Sequence, residues 1–232
     1  MISNSFKSIH TNNFLKYSLL IFATLIILFS FAGNVHAVDG NFGGGDGTLS
    51  DPFIIEDEAD LAAISSQSSY YYILGGDIHL TSPWEPIEQF NGNLDGKEHT
   101  IFGLEIDNTI GFTGLFIQTY GAVITNLTLE SANVKSEGGA AGAVVGYAQD
   151  TIFNNVAVSG NVISQLQNGP DIGGLVGIME GGSITSSSFS GNVEGYEVIG
   201  GLVGRIESGG SITSSSFSGK VEGYGMVGGL VG

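Results

Sequence analysis

Two almost identical stretches decide the fold: "EGGSITSSSFSGNVEGYEVIGGLVG" at residues 180–204 and "SGGSITSSSFSGKVEGYGMVGGLVG" at residues 208–232. Weaker forms of the closing "GGLVG" occur earlier in the chain. The corresponding positions are Thr113, Gly142, Gly173, Gly200 and Gly228, at intervals of 29, 31, 27 and 28 residues. A period of this length indicates structural units that stack on one another.

Each unit carries the same three apolar positions, and the alternation around them indicates strands. Ser, Gly, Thr and Val dominate the units, which disfavours helices. We therefore predict an all-β fold, a parallel β-helix (β-solenoid) built from three-strand coils of about 28 residues. The positions are an isoleucine (Ile124, Ile152, Ile184, Ile212), a bulky residue (Leu129, Val158, Phe189, Phe217) and a valine (Val134, Val162, Val193, Val221).

A polar position precedes each bulky residue by three. In stacked coils these side chains would form a ladder with a spacing of about 4.8 Å. Short side chains with hydrogen-bonding groups at a corner can satisfy the backbone groups that the bend releases. The predicted structural polar ladder is Asn126, Asn155, Ser186 and Ser214.

Residues 1–37 have the features of a signal peptide. Lys7 and Lys16 precede an apolar run at 17–32, and Val35 and Ala37 occupy the small-residue positions of a cleavage site. An uncleaved membrane anchor is the alternative, although the run is shorter than the roughly 20 residues that span a bilayer. We expect a secreted or cell-surface protein with no membrane span after cleavage.

Residues 38–110 are predicted to form an N-terminal cap and the first coils. Leu61 and Ile64 would lie on one face of a short helix, and Trp84 is expected to pack in the core. Residues 111–232 are the solenoid repeats. Because they stop on the phrase that opens another unit, and a bare solenoid end exposes unpaired strands, we expect a C-terminal truncation, with further repeats or domains beyond Gly232.

Composition narrows the classes of partner. The 232 residues contain no cysteine and have a formal net charge of −17, which becomes more negative when Lys7 and Lys16 leave with the signal peptide. Such a surface repels nucleic acid and anionic membranes. The hydrophobic fraction of 42% is too high for a disordered chain. We therefore expect a folded protein, without disulfides, that binds no nucleic acid.

The sequence predicts no catalytic residue, no metal site and no cofactor. Common hydrolase, metalloprotease and nucleotide-binding motifs are absent. The histidines after the leader, His79 and His99, are expected to be exposed turn or strand residues. The segment at 43–51 resembles a calcium-binding repeat but has no tandem copy, so loosely bound calcium is unsupported. A catalytic module beyond Gly232 remains an alternative.

One exposed stripe is the candidate binding site. Glu194 and Glu222 occupy equivalent positions in consecutive units, and so do Tyr196 and Tyr224. Tyrosine faces can pack against sugar rings. The alternative is that the stacked tyrosines only reinforce the ladder, with the glutamates solvated.

The recurring "GGLVG…SITSSSFSGNVEG" resembles the GLUG motif, and the leader "GDGTLSDPFIIEDEADLAAIS" is similar to segments that precede such repeats. The resemblance implies a secreted or surface β-solenoid, as in adhesin-like proteins. The motif also occurs in some bacterial IgA peptidases, but it contains no catalytic residue, so the resemblance implies none here. The leading hypothesis is an adhesin-like scaffold that binds a cell-surface glycan or protein. The alternatives are a passive stalk or envelope component that displays another domain, and a carbohydrate-active β-helix enzyme (polysaccharide lyase or glycosidase).

Overall fold

Short parallel strands make up most of the chain in the computed structural model, which describes residues 42–66, 68–109, 111–167 and 169–232. The predicted signal peptide at 1–37 lies outside the described residues. In chain order the elements are β1 Phe53–Ile55, α1 Glu58–Ala63, a 3-10 turn Ile64–Ser66, β2 Tyr71–Leu74, β3 Ile78–His79, β4 Ile87–Phe90, β5 Asn93–Asp95, β6 Thr100–Phe102, β7 Glu105–Thr109, β8 Phe116–Tyr120, β9 Val123–Ser136, β10 Val145–Gln149, β11 Ile152–Ser164, β12 Ile172–Gly173, β13 Val176–Glu180, β14 Ser183–Thr185, β15 Ser188–Glu194, β16 Val198–Gly200, β17 Val203–Glu207, β18 Ser211–Thr213, β19 Ser216–Glu222 and β20 Met226–Gly228.

The strands form three parallel sheets that wind around one core. Sheet A has twelve strands. Seven of them lie in the order β1-β2-β5-β9-β11-β14-β18. The other five pair off this path: β3 pairs with β6, β6 and β7 pair with β9, and β15 pairs with β11 and β19. Sheet B runs β17-β13-β10-β8-β4, and sheet C runs β12-β16-β20. Neighbouring strands in each sheet come from consecutive coils. The prediction of a parallel β-solenoid is therefore confirmed.

Two of the three predicted apolar columns are in register. Leu129, Val158, Phe189 and Phe217 pair in sequence, and the valines do the same. Phe189 and Val193 are at most 1% exposed, and Phe217 and Val221 in the last coil are half-buried because no further coil covers them within the described residues. Alternate residues along each strand thus build a continuous core. The valine column is Val134, Val162, Val193 and Val221.

The isoleucine column contains one wrong assignment. Phe153, not Ile152, pairs with Ile124 on one side and Ile184 on the other. Ile152 is 44% exposed, whereas Phe153 is fully buried. Because successive residues of a strand point to opposite faces, a register error of one residue moves the side chain from the core to solvent.

Three of four consecutive coils have glycine where sheet A bends next to the core. The column Ala132, Gly160, Gly191, Gly219 runs through consecutive coils. The φ angle of Gly191 is 148°, and a Cβ on this residue would lie 1.8 Å from the carbonyl oxygen of Gly160. No side chain fits at that distance, so the repeated "SG" of the motif permits the close approach of the coils.

The N-terminal cap contains the predicted short helix. The carboxylate of Asp57 accepts hydrogen bonds from the amides of Ala59 and Asp60 and so caps α1. Leu61 and Ile64 are fully buried. Within the residues that the structure describes, no helix is long and apolar enough to cross a membrane.

The cap leads directly into the first coils. Leu94 pairs with Ile124, and Ile101 pairs with Leu129, so strands before residue 110 already follow the register of the repeats. Trp84 is 5% exposed and its indole nitrogen donates to the carbonyl of Leu115 at 3.1 Å, which confirms the prediction that it packs in the core.

Candidate functional site

An open groove lies where three consecutive coils leave sheet A, and we call it the Tyr–Glu groove. Its volume is about 670 Å³, within the range of pockets that bind small ligands. Ile163 and Gln165 come from the first coil, Glu194 and Tyr196 from the second, and Glu222 and Tyr224 from the third. The structure therefore brings together all four residues of the exposed stripe.

The two tyrosines form the aromatic side of the groove. Their ring centroids are 4.6 Å apart and the ring planes are inclined by 32°. The backbone carbonyl of Tyr196 accepts hydrogen bonds from the amides of Tyr224 and Gly225, at 3.2 and 2.9 Å, which fixes the two turns relative to each other. Tyr224 is 83% exposed among the described residues, so its ring is accessible to solvent.

The two glutamates are in register on adjacent strands, Glu194 on β15 and Glu222 on β19. Lys220 lies 2.5 Å from a carboxylate oxygen of Glu222. The hydrogen bond to Glu222 raises the pKa of Lys220, and the charge of Glu194 adds to this effect. Lys220 was not among the predicted site residues. The only signal for it is that Asn133, Asn161 and Asn192 occupy the equivalent positions in the preceding coils.

The residues of the predicted polar ladder all lie at one corner of the solenoid. Asn126, Asn155, Ser186 and Ser214 have φ angles of 50°, 57°, 51° and 51°. This left-handed conformation bends the chain within sheet A, and asparagine tolerates it better than most residues.

The asparagine half of the corner is connected through side chains. The side-chain nitrogen Nδ2 of Asn155 donates to Oδ1 of Asn126 at 3.0 Å, and Nδ2 of Asn126 donates to Asp95 at 2.9 Å. Lys97 also approaches Asp95, with Nζ at 2.9 Å. Burial raises the pKa of Asp95, but the hydrogen bonds from Asn126 and Lys97 outweigh it, so the pKa lies below its ordinary value.

The serine half of the corner uses a different residue for its hydrogen bonds. The hydroxyl of Ser187 donates to the carbonyl of Thr185 and accepts from the amide of Val156 at 3.0 Å. The hydroxyl of Ser215 likewise accepts from the amide of Ser187 at 3.1 Å. The side chains that connect these coils thus follow Ser186 and Ser214 by one residue.

The outer face of sheet B carries polar and aromatic residues outside the predicted binding site. Tyr147 donates its hydroxyl proton to Glu180, and this hydrogen bond raises the pKa of Tyr147 to about 12. The ring of Phe112 stacks on Tyr147 at 5.5 Å. Arg205, one coil after Ile178 in the same column, forms an ion pair with Asp171, which is 5% exposed. The polar side chains of these two pairs therefore already have partners within the protein.

A second groove, of about 580 Å³, lies beside the cap. The carboxylate of Glu58 accepts hydrogen bonds there from the backbone and hydroxyl of Thr81, which lower the pKa of Glu58. His79 lines this groove, and its exposed ring stacks on Phe102 at 4.7 Å. Among the described residues no group of three or more His, Cys, Asp or Glu side chains is arranged to hold a metal ion.

The last coils match a known sequence family. Residues 168–194 and 195–222 each fit the family described as the GLUG motif. The chain carries GLUG repeats. The first contributes Glu194 to the Tyr–Glu groove and the second contributes Tyr196 and Glu222, while Tyr224 follows two residues later. The resemblance that the sequence suggested is confirmed.

Three curated proteins show what this GLUG-repeat chain is similar to. Halomucin of Haloquadratum walsbyi is 36% identical over 167 residues, a Gly-rich membrane protein of Evansella cellulosilytica is 32% identical over 198, and an immunoglobulin A1 protease of Streptococcus sanguinis is 34% identical over 122. The alignments cover 62%, 66% and 50% of this chain. They span only 2%, 23% and 6% of those proteins, which are much longer.

One solved structure has the same fold. It is a crystal structure of a protein from Bacteroides ovatus described as an immunoglobulin A1 protease, and it superimposes with a TM-score of 0.61. The match covers 78% of this chain and 70% of the other, at 17% sequence identity. At this identity the likeness concerns the fold alone.

Proposed function

We propose that this chain is an exported, surface-associated β-solenoid scaffold that acts as an adhesin, binding a glycan in the Tyr–Glu groove. The observation that carries the proposal is the pair of adjacent tyrosine rings, 4.6 Å apart, beside two glutamates in register, in a groove of about 670 Å³. Aromatic faces pack against the apolar faces of sugar rings, and carboxylates accept hydrogen bonds from hydroxyl groups.

Export is supported by the predicted signal peptide and by the relatives, one of which is named as a membrane protein. The absence of cysteine does not oppose this, since stacked coils bury their apolar columns without cross-links. A rigid scaffold also favours binding, because residues that are already ordered lose little conformational entropy on contact with a ligand.

The test is a glycan array probed with the purified full chain, its Tyr224→Ala variant and its Tyr120→Ala variant. Tyr120 is half-buried on sheet B, does not line the groove and therefore serves as the matched control. We expect the wild type and Tyr120→Ala to retain the same glycans and Tyr224→Ala to lose about tenfold in affinity, or about 1.4 kcal/mol. Retention of no glycan, or equal binding by Tyr224→Ala, would overturn the proposal.

Display of another domain is the second candidate function. It is supported by the length of the relatives, in which the matching segment is 2% to 23% of the whole protein. In that case the tyrosine pair would contribute to the stacking of coils only. Unchanged attachment of cells that present the Tyr224→Ala variant, together with an empty glycan array, would favour display over binding.

A further inference from the structure

The charges in the Tyr–Glu groove are not balanced. Lys220 is paired with Glu222, whereas no ion pair or hydrogen bond engages the side-chain carboxylate of Glu194 among the described residues. With both carboxylates ionised, the three groups have a net charge of −1. Glu194 is half-buried, so part of its hydration shell is already lost.

Among the described residues, the strand positions that flank Glu194 supply no further cation. The residue that pairs with Glu194 on the preceding coil is Ile163, which carries no charge. One coil earlier the same column holds Lys135, whose Nζ lies 3.5 Å from Asp107. Exposed Glu197, three residues after Glu194, adds negative charge. The site thus offers a carboxylate that is available to a cationic ligand.

We infer that the Tyr–Glu groove selects sugars that carry a free, protonated amino group; this inference rests on the proposed function. The pyranose ring stacks on the exposed face of Tyr224, and the ammonium group donates charge-assisted hydrogen bonds to Glu194. Anionic sugars are repelled by the same carboxylate. Acetylation of the amino group removes its charge and leaves only the stacking contribution.

The direct test compares two oligosaccharides of equal length, a glucosamine tetramer and an N-acetylglucosamine tetramer. Binding to the full chain is measured by calorimetry at about pH 6, where amines are protonated. We expect the glucosamine tetramer to bind about tenfold more tightly. Glu194→Gln should abolish this preference while retaining weak binding of the acetylated tetramer, and Tyr224→Ala should weaken the binding of both.

Glu130→Gln is the matched control, because Glu130 is exposed on sheet A outside the groove and the substitution changes the net charge equally. It should leave the preference intact. An equal loss of preference in Glu130→Gln would show general electrostatic attraction and overturn the inference.

The remaining outcomes distinguish the two proposals. Equal binding of the two tetramers would overturn the amino-sugar inference and leave the adhesin function standing. A lysine-rich peptide that binds as tightly as the glucosamine tetramer would also overturn it, in favour of a cationic peptide ligand. Failure of both tetramers, together with an empty glycan array, would overturn the proposed function itself.

Discussion

The side-chain amide of Asn155 donates a hydrogen bond of 3.0 Å to Oδ1 of Asn126, its equivalent in the preceding coil. Both residues have left-handed backbones, with φ angles of 57° and 50°. The same side chain therefore satisfies two needs at this corner. It tolerates the bend of its own backbone, and it joins one coil to the next.

Replacement of Asn126 should separate these two contributions. Asn126→Ala loses the side-chain hydrogen bonds and places an unfavourable residue at positive φ, whereas Asn126→Gly loses only the hydrogen bonds. We expect Asn126→Ala to lower the free energy of unfolding by about 2–3 kcal/mol and Asn126→Gly by about 1–2 kcal/mol. Urea unfolding measures both values. Equal losses would show that the backbone conformation is not a source of strain.

Phe189 and Phe217 allow the same substitution to be compared in two environments. Their rings stack at 6.2 Å, but Phe189 is 1% exposed and Phe217, in the last coil, is half-buried. Phe189→Ala should lower the free energy of unfolding by about 3–5 kcal/mol, the usual range for a buried phenylalanine. Phe217→Ala should lower it by less than half as much. Similar values in urea unfolding would contradict the difference in burial between Phe189 and Phe217.

Gly191→Ala should strongly destabilise the protein. Its Cβ would lie 1.8 Å from the carbonyl oxygen of Gly160, so the coils would have to separate locally. We expect the free energy of unfolding to fall by about 3 kcal/mol or more. Gly229→Ala is the control, because no atom lies within 4 Å of the added Cβ, and its melting temperature should match that of the wild type. A Gly191→Ala variant as stable as this control would disprove the close approach.

Asp95 should make stability depend on pH in the acid range. Its pKa is lower in the folded protein than the ordinary value of 3.8. The ionised carboxylate therefore contributes stability above about pH 4, and this contribution is lost as the pH falls through the folded pKa. Between about pH 5 and pH 2.5, the melting temperature of Asp95→Asn should change less with pH than that of the wild type. Parallel pH profiles for the two proteins would refute a stabilising role of this carboxylate.

Most of the fold could be predicted because the last repeats are so similar. Phe189 and Phe217 are separated by the same number of residues as Val193 and Val221, which indicates directly that the members of each pair stack. The error at Ile152 has a physical cause. "TIF" at 151–153 offers apolar residues on both faces of the strand, so residue type alone could not set the register.

The polar ladder contained the signal that would have corrected this error. Ile124 and Ile184 each precede their corner residue by two positions, and Phe153 precedes Asn155 by the same number. By contrast, the pairing of Tyr147 with Glu180 and of Arg205 with Asp171 joins residues 33 and 34 positions apart, a separation that the repeats do not share. Such contacts depend on the rotamers of individual side chains, which a periodic pattern does not specify.

The Tyr–Glu groove is assembled from equivalent positions of successive coils, and this links its size to the number of repeats. In the coil that contributes Gln165, the positions of Glu194 and Tyr196 are held by Ile163 and Gln165, so two of the described coils provide the full set. An in-frame duplication of residues 195–222 would add one tyrosine and one glutamate to the row. Unequal recombination between the two nearly identical segments could therefore change the number of tyrosines and glutamates in the row, and with it the length of the proposed glycan ligand, without altering a codon inside either segment.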